Sequence, residues 1–494
     1  MPDWTYQPLR GIAAALLGAR RSQRVALRIL GTVGALPAGA DLIASAFGHR
    51  GPGHGRLGAV VPPSVARDAL RGLPPLGATT IEISPVYPAD VGAVVAAVHG
   101  GRQRVRVWAR AAGPDAAAVA RALAPHVDAV RTGADPAVVY QDGPSVAAAA
   151  RALADPARTV LATPAVLIAA GPGWFARVRE ATAPPPVTAP PGLREVGLDP
   201  RRWPGWWWAL LVGLGMVAAG LGAAAITLGP VLLWYDRDLL GMDAGHLHAL
   251  NPRLVPFLRH DRISLAGAIV TTGVLYTGLA AGGLRRGWPW AREALLAAGW
   301  IGFATVLYFV GFGYVEPLHA AVAVVLLPMF LLGTARRPDR PSWSPPPEGP
   351  ERERRRALTG QLLLIFTGAG VLAGGAAISV IGLTGVFVAS DLVFLRTGPA
   401  ELAAANPRLP AFIAHDRAGF GGTLLAAGTA ITLLSAWGWR RGEAWVWWTL
   451  ALGGLAGFVP AVAVHLAVGY VDAWHLAPAA AGTGLTAAGL ALAR

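Results

Sequence analysis

A series of long apolar stretches in the C-terminal part of the 494-residue chain constrains its fold more than any other feature. About 20 apolar residues suffice to cross a bilayer as a helix, and in lipid only helices and closed barrels satisfy their own backbone hydrogen bonds. We therefore predict an all-α polytopic membrane domain. Its eight expected spans are 206–234, 263–283, 291–313, 317–335, 359–389, 418–437, 445–468 and 474–493.

A duplicated phrase divides these spans into two groups of four. Asparagine occurs only as Asn251 and Asn406, 155 positions apart, and opens the phrases NPRLVPFLRHDR and NPRLPAFIAHDR. We call residues 206–335 segment 1 and residues 359–494 segment 2. Because four is an even number, both segments enter the membrane from the same side, which predicts two parallel four-helix repeats about an axis along the membrane normal.

The distribution of arginine predicts how this domain is oriented. All 42 basic residues are Arg, and together with the abundance of Ala, Gly and Pro this is typical of a GC-rich bacterial genome. Fifteen of the arginines in or beside the spans fall on one side of the predicted topology and seven on the other. The positive-inside rule makes the first side cytoplasmic. The start of the chain lacks a secretory signal, so we expect a multi-pass protein of the bacterial inner membrane with a cytoplasmic N-terminus and both HDR phrases at the outer face.

Residues 1–183 form a different kind of unit. Short β-type runs (57–61, 79–84, 104–109, 127–132 and 159–161) alternate with Ala-rich helical stretches such as 115–123, which predicts an α/β unit with parallel strands. A Pro-rich linker, 184–205, follows it, and an Arg- and Pro-rich linker, 336–358, separates the two segments. The chain has no Cys, which excludes disulfides and thiolate sites, and no basic stripe with aromatics that would indicate nucleic acid.

A second duplicated phrase supplies candidate metal ligands. GYVEPLH in segment 1 and GYVDAWH in segment 2 both contain an acid three residues before a histidine, so both side chains lie on one helix face. Helical metal sites combine two such pairs with carboxylates from other helices, and O/N ligands suit Zn, Mn or Fe better than Cu(I). The candidate ligands are Glu316, His319, Asp472, His475, His260, Asp261, His415 and Asp416, and His465, whose counterpart is Phe309, adds a further nitrogen.

Other duplicated residues are expected to complete this outer-face site. Asn251, Asn406, Arg262, Arg417, Asp236 and Asp391 have counterparts at the same offset, and each Arg is expected to balance the acids. Two alternatives remain open: a haem held by His319 and His475, and a purely structural role in which the acids and Asn cap helices and His and Arg lie at the headgroup level. No charged residue lies at the centre of a span, which argues against an ion-coupled transporter.

Several stretches of the N-terminal unit resemble one enzyme family. These are Tyr6 to Arg10, Arg24 to Pro37, Ala46 to Pro52, Leu76 to Pro85 and Ala170 to Trp174. They are similar to the N-terminal helices, an early barrel strand and the closing segment of the quinone-linked (class 2) dihydroorotate dehydrogenases. The resemblance covers about 180 residues, far fewer than a complete eight-stranded barrel, and implies a truncated, partly TIM-barrel-like domain.

The family's chemistry does not carry over residue by residue. Its lysines contact the flavin and its asparagines hold orotate, whereas residues 1–183 contain neither residue type, and Arg does not replace a Lys beside a flavin. We therefore expect no FMN and a docking domain for a protein partner. The competing hypotheses for the whole chain are a membrane protein with a metal- or polar-ligand site, an outer-face metalloenzyme, and an active dihydroorotate dehydrogenase of pyrimidine biosynthesis.

Overall fold

The computed structural model describes residues 3–46, 55–101, 105–182, 193–338, 350–440 and 443–493. The run Ala46 to Pro52, both linkers and Arg441 lie partly or wholly outside these residues. The chain separates into two compact units. Unit 1 comprises Met1–Pro185, Ser344–Thr359 and Arg440–Gly442, and unit 2 comprises Pro186–Trp343, Gly360–Trp439 and Glu443–Arg494.

Unit 1 contains a parallel six-stranded half-barrel sheet, so the prediction of an α/β unit with parallel strands is confirmed. The strands are β1 (Leu57–Val61), β2 (Thr80–Val86), β3 (Arg106–Ala111), β4 (Ala129–Arg131), β5 (Val138–Gln141) and β6 (Thr159–Ala162). Their spatial order is β4-β3-β2-β1-β6-β5, and the pairs are all parallel. The last strand thus returns beside the first, as in a barrel, while β4 and β5 form the two edges.

Helices cover one face of this sheet, and a small polar network lies on the other. The helices are α1 (Asp3–Leu17), α2 (Ala19–Gly34), α3 (Gly39–Ala46), α4 (Ala66–Gly72), α5 (Val91–Gly101), α6 (Ala116–Leu123), α7 (Val146–Leu153), α8 (Pro164–Ala170) and α9 (Trp174–Thr182). Glu82 on β2 is fully buried and accepts a hydrogen bond from the hydroxyl of Tyr140 on β5, which also accepts one from Arg110 on β3. Burial raises the pKa of Glu82, and the Tyr140 hydrogen bond opposes that rise.

Unit 2 is helical. Segment 1 forms α10 (Gly205–Leu228), α11 (Trp234–Leu240), α12 (Ala244–Leu250), α13 (Leu254–Gly278, continued by a π-helix over Leu279–Leu284), α14 (Pro289–Thr305), α15 (Tyr308–Gly311) and α16 (Pro317–Thr334). Segment 2 forms α17 (Glu351–Leu383), α18 (Ala389–Leu395), α19 (Pro399–Ala405), α20 (Leu409–Gly438), α21 (Ala444–Val468) and α22 (Ala473–Leu492).

Seven helical stretches of the described residues are long and apolar enough to cross a membrane, which fits a membrane protein. They are Gly205–Leu228, Leu254–Leu284, Pro289–Gly311, Pro317–Thr334, Arg352–Leu383, Leu409–Gly438 and Ala444–Val468. The eighth expected span corresponds to α22, which is not among the seven. The helices α13 and α20 also begin nine residues before the expected spans, so each HDR triplet lies inside a helix.

Close helix packing positions these triplets. Gly213 of α10 lies so near α13 that an added Cβ would come within 2.6 Å of the Thr277 backbone nitrogen. At the matching position of segment 2, a Cβ on Gly368 would come within 2.7 Å of the Thr432 nitrogen. Small residues of this kind allow membrane helices to approach closely. The first long helix of each segment is therefore held tightly against the helix that carries the HDR phrase.

Candidate metal centres

Each asparagine ties its own segment to the other one. The side-chain oxygen of Asn251 accepts from the Arg253 backbone nitrogen (2.9 Å), and its amide donates to the carbonyl of Leu395 at the end of α18 (2.8 Å). Asn406 makes the same pair of contacts, with the Arg408 nitrogen (3.0 Å) and with the Leu240 carbonyl at the end of α11 (2.8 Å). An Asp carboxylate can accept the first bond but cannot donate the second, and a Ser hydroxyl would have to make both contacts through one oxygen, whereas the amide uses separate oxygen and nitrogen atoms. This dual role gives a physical reason for asparagine at both positions.

The arginine of each HDR triplet binds acids from both segments. Arg262 donates from Nε to Asp416 (2.8 Å) and from Nη1 to Asp236 (3.1 Å). The matching residues repeat both contacts: Arg417 with Asp261 (3.1 Å) and with Asp391 (2.5 Å). All six side chains are buried or nearly so. Each guanidinium therefore has two carboxylate partners, one from each segment, which offset the cost of burying its charge.

Two strained backbone positions hold these arginines. Val231 and Val386 have φ of 65° and 63°, a left-handed conformation that β-branched residues rarely adopt. Their carbonyls accept from Nη1 of Arg262 (2.7 Å) and of Arg417 (2.8 Å). Strain of this kind costs on the order of 1–3 kcal/mol and persists only where the surroundings impose it. Its occurrence at the same position of both segments indicates that the turn is shaped to present a carbonyl to the arginine.

Three imidazoles from three different helices meet beside the second arginine. His260 of α13, His465 of α21 and His475 of α22 place one ligand nitrogen each within 4.8 Å of the others. Nε2 of His260 lies 2.8 Å from Nε2 of His465, and the His475 ring lies 5.1–5.5 Å from both rings. We call this group the three-histidine cluster. It combines one HDR histidine from segment 1 with two histidines from segment 2.

The hydrogen-bond partners of the Nδ1 atoms determine where the protons lie on the rings of this cluster. Nδ1 of His465 faces the carbonyl of Ala461 (2.5 Å), and a carbonyl only accepts, so this nitrogen carries a proton. Nδ1 of His260 faces Asp261 (2.9 Å), whose carboxylate is ion-paired with Arg417, so it too is a donor. In neutral rings both Nε2 atoms then present lone pairs to each other. A cation, either a proton or a metal ion, is needed between them.

A second cluster combines two histidines with one carboxylate. Glu316, His319 and His415 also place their ligand atoms within 4.8 Å of one another, and we call them the glutamate cluster. Nδ1 of His319 lies 2.6 Å from Oε2 of Glu316, whose other oxygen accepts from Tyr235 (2.9 Å). Nδ1 of His415 faces Asp416 (3.2 Å). Its Nε2 is buried without a hydrogen-bond partner among the described residues, as expected of a ligand nitrogen.

The electrostatic surroundings of Glu316 keep its carboxyl group ionised, so that it can bind a cation. Burial alone would raise the pKa of Glu316, but hydrogen bonding to His319 and the charges of His319 and His415 lower it to about 2. Burial, reinforced by Asp236, raises the pKa of the nearby Tyr314 above its ordinary range. Glu316 is therefore ionised at neutral pH, while Tyr314 stays protonated and its hydroxyl donates a hydrogen bond to Asp236 (2.9 Å).

The two clusters differ at one ring position. The Phe309 ring lies 4.1 Å from that of His415, and the matching His465 ring lies 4.2 Å from that of His260. The two side chains therefore occupy equivalent places, but only His465 offers a nitrogen. This difference gives one cluster three imidazoles and the other two imidazoles with a carboxylate.

The sequence-predicted residues have different roles in the structure: some are cluster ligands, and others bind a histidine or an arginine or cap a helix. Six of them, His260, His465, His475, Glu316, His319 and His415, fall in the two clusters. Asp261 and Asp416 instead hold a histidine and an arginine, and Asp236 and Asp391 bind arginine. Asp472 caps α22 by accepting from the His475 nitrogen (2.7 Å), as the capping alternative expects. His319 and His475, considered together as haem ligands, lie in different clusters.

Sequence reasoning did not single out several tyrosines that support the site. The hydroxyls of Tyr314 and Tyr470 donate to Asp236 and Asp391, and that of Tyr235 donates to Glu316. The first two belong to the duplicated GYV phrase, so the repeat itself was a usable signal. The third has no tyrosine counterpart, because Ser390 occupies that place and lies 3.3 Å from Nδ1 of His475.

Comparison of the chain with models of protein families, with curated proteins and with solved structures found no match.

Proposed function

We propose that unit 2 is a membrane protein that binds two divalent transition-metal ions, one in each cluster. The observation that carries this proposal is the 2.8 Å approach of two ring nitrogens, His260 Nε2 and His465 Nε2, whose opposite nitrogens are both committed as donors. A shared proton would relieve the repulsion only for this pair. A metal ion would also engage His475, the third ring of the cluster.

The ligand chemistry favours zinc, with manganese or iron as the other candidates for the glutamate cluster. Zn²⁺ takes imidazole nitrogens at about 2.0–2.1 Å in a tetrahedral arrangement, which sets neighbouring nitrogens about 3.3 Å apart. The facing nitrogens of the three-histidine cluster would need to separate slightly from 2.8 Å. Three protein ligands leave a fourth position open, which is the arrangement of catalytic sites. The carboxylates of Asp261 and Asp416 would orient the bound histidines from behind.

Elemental analysis by mass spectrometry of the full-length protein in detergent tests this proposal. After incubation with Zn²⁺ and removal of excess metal, we expect one ion per cluster. The single variants His475→Ala and His319→Ala are each expected to lose one ion, and the double variant to lose both. His246→Ala is the matched control, because this exposed histidine contacts Asp243 and lies outside both clusters. Metal content that is unchanged in the double variant would refute the proposal.

We further propose that the two segments are parallel four-helix repeats with eight spans in the bacterial inner membrane and with both clusters at the outer face. The asymmetry of arginine supports this orientation. Because the chain has no cysteine, single cysteines can report it. Asp243→Cys is expected to react with a membrane-impermeant maleimide in intact spheroplasts, and Arg337→Cys only after permeabilisation. The reverse pattern would overturn the orientation.

For unit 1 we propose a docking role for a cytoplasmic protein partner, on a scaffold that resembles dihydroorotate dehydrogenase but binds no FMN. The absence of Lys and Asn from residues 1–183 supports this view. Inside the half-barrel, the polar groups of Glu82, Tyr140 and Arg110 bind one another. Stoichiometric flavin absorbance in the purified protein would contradict the proposal.

A further inference from the structure

The glutamate cluster borders a cavity inside unit 2. The cavity has a volume of about 170 Å³, and its walls come from α10, α13, α14, α16 and α20. Glu316 and His319 are among its lining residues, and so is Phe309, whose ring centre lies 4.1 Å from that of His415. The residues of the three-histidine cluster, all of which the structure describes, are not part of this lining. The two clusters therefore differ in the space beside them.

The matching interface on the side of the three-histidine cluster is closed by direct helix contact. Thr271 of α13 donates to the carbonyl of Gly453 on α21 (2.9 Å). One turn earlier on α13, a Cβ on Gly267 would come within 2.9 Å of the Ala456 carbonyl oxygen, so the two backbones touch. In segment 2, Ala426 of α20 matches Thr271 but has no hydroxyl to make such a bond, and it lines the cavity. The α13–α21 interface is thus closed where its counterpart, between α20 and α14, borders the cavity.

An interruption in a helix of segment 1 lies in the wall of this cavity. α14 ends at Thr305 and α15 begins at Tyr308, whereas the matching helix of segment 2, α21, is continuous from Ala444 to Val468. Thr305 and Val306 both line the cavity. The third helix of segment 1 therefore departs from regular helical structure at the level of the cavity, which distinguishes it from its counterpart.

The cavity is elongated, and most of its lining away from the cluster is apolar. On α13 the lining runs from Arg262 to Tyr276, about 21 Å at the rise of an α-helix. Arg262 binds Asp416, which contacts His415, so the glutamate cluster lies at the Arg262 end. An engineered apolar cavity of about 150 Å³ binds benzene, so a space of this volume can hold apolar molecules. Length combined with modest volume fits an elongated molecule better than a bulky ring system.

A metal ion in the glutamate cluster would border this space, because two of its three protein ligands line the cavity. Three protein ligands leave a fourth position, which water or another ligand occupies. Such a position accepts neutral and anionic donors alike. The geometry therefore determines where the donor atom of a ligand lies, and the apolar walls determine the character of the rest of the molecule.

We infer that, of the two proposed metal sites, the glutamate cluster is the one that takes an exogenous ligand. This ligand is an elongated apolar molecule with a donor atom at one end, which completes the coordination of the metal while the apolar part occupies the cavity. The inference rests on the metal binding proposed above and goes beyond it, because it gives the two sites different roles. At the three-histidine cluster an apolar tail gains nothing, because α13 and α21 are in direct contact at the matching place.

Titration of the cobalt-loaded, full-length protein in detergent with two alkylimidazoles tests this inference. His475→Ala leaves the glutamate cluster as the occupied site, and His319→Ala leaves the three-histidine cluster. The visible absorption of bound Co²⁺ reports the addition of a ligand to the metal, so each titration gives a half-saturating concentration.

The measured quantity is the half-saturating concentration of 1-methylimidazole divided by that of 1-hexylimidazole. Because burial of each additional methylene strengthens binding, this ratio should be at least about tenfold larger in His475→Ala than in His319→Ala. Comparison of the two proteins cancels the partition of the hexyl chain into detergent micelles, which is the same for both.

Cavity-filling variants in the His475→Ala background assign the effect to the cavity. Ala223→Trp and Ala323→Phe fill it from α10 and from α16, and each should remove the preference for the hexyl chain while retaining cobalt. Ala225→Trp and Ala321→Phe are the matched controls, because these exposed residues lie on the same two helices, and they should keep the preference.

Two results would overturn the inference while leaving the metal proposal intact: an equal ratio at the two clusters, or a preference for the hexyl chain that survives both cavity-filling variants. Elemental analysis of the same samples separates the two proposals. If the wild type holds no cobalt before any alkylimidazole is added, the metal proposal fails and this inference fails with it.

Discussion

Arg417→Met is expected to destabilise unit 2 by about 3–5 kcal/mol, the loss typical of removing one partner from a buried ion-pair network. The side chain of Arg417 is 7% exposed and binds two buried carboxylates, those of Asp261 and Asp391. Its removal leaves both acids in the interior of the domain without a counterion. Arg417→Lys should recover little of this loss, because an ammonium cannot replace the planar guanidinium that donates from Nε and Nη1.

Reversible unfolding of the purified protein in mixed detergent micelles would measure this effect. Arg408→Met is the matched control, because the Arg408 side chain is exposed and its guanidinium donates to the backbone carbonyl of Leu239, so its change should be much smaller. Arg262→Met should behave like Arg417→Met, since it removes the equivalent pair of contacts. A loss below about 1 kcal/mol in both arginine variants would show that the acids are not ionised partners.

His465→Phe is expected to weaken metal binding by the three-histidine cluster by more than about 100-fold, beyond the loss of an outer-shell partner. The substitution removes one of three ligands but should preserve the packing, because Phe309 already occupies the equivalent place against His415. The reciprocal variant, Phe309→His, adds an imidazole to the glutamate cluster and should tighten its binding.

Competition with a chromophoric chelator would resolve the two sites of each variant. The His465→Phe protein should bind one ion as tightly as the wild type does and the other far more weakly. His248→Phe provides a control on a histidine outside both clusters. Equal affinities in the wild type and in His465→Phe would mean that a proton, and not a metal ion, lies between His260 and His465.

The sequence predicted local structure well where that structure depends on the residues of a single helix or strand. Strand β1 has the predicted bounds, and Asp115 lies directly before the helix that begins at Ala116. β5 was missed because its four residues, Val138 to Gln141, are too few to show a pattern between two Asp-containing turns. The expected spans also began too late at Arg262 and Arg417, because hydropathy treats these charges as a boundary, whereas in the structure their partners lie on other helices.

The sequence could not predict which residues of one segment meet which residues of the other. The phrase acid-x-x-His indicated metal chemistry, and six of the proposed ligands do lie in two clusters. The pairing of His260 with His475, and of His415 with His319, joins residues that are 215 and 96 positions apart. Helical periodicity reports which face a residue lies on but not which helix will meet that face, so tertiary packing had to supply this information.

The exchange of contacts between the segments has a consequence for how such a chain could have arisen. Every cluster takes one HDR histidine from one segment and its remaining ligands from the other. A single ancestral segment could therefore complete these sites only as a homodimer, in which any mutation would alter both sites at once. Joining two such copies in one polypeptide would remove that symmetry. One site could then keep an aromatic ring at position 309 while the other carried an imidazole at 465, so that the two halves of one protein would be free to specialise.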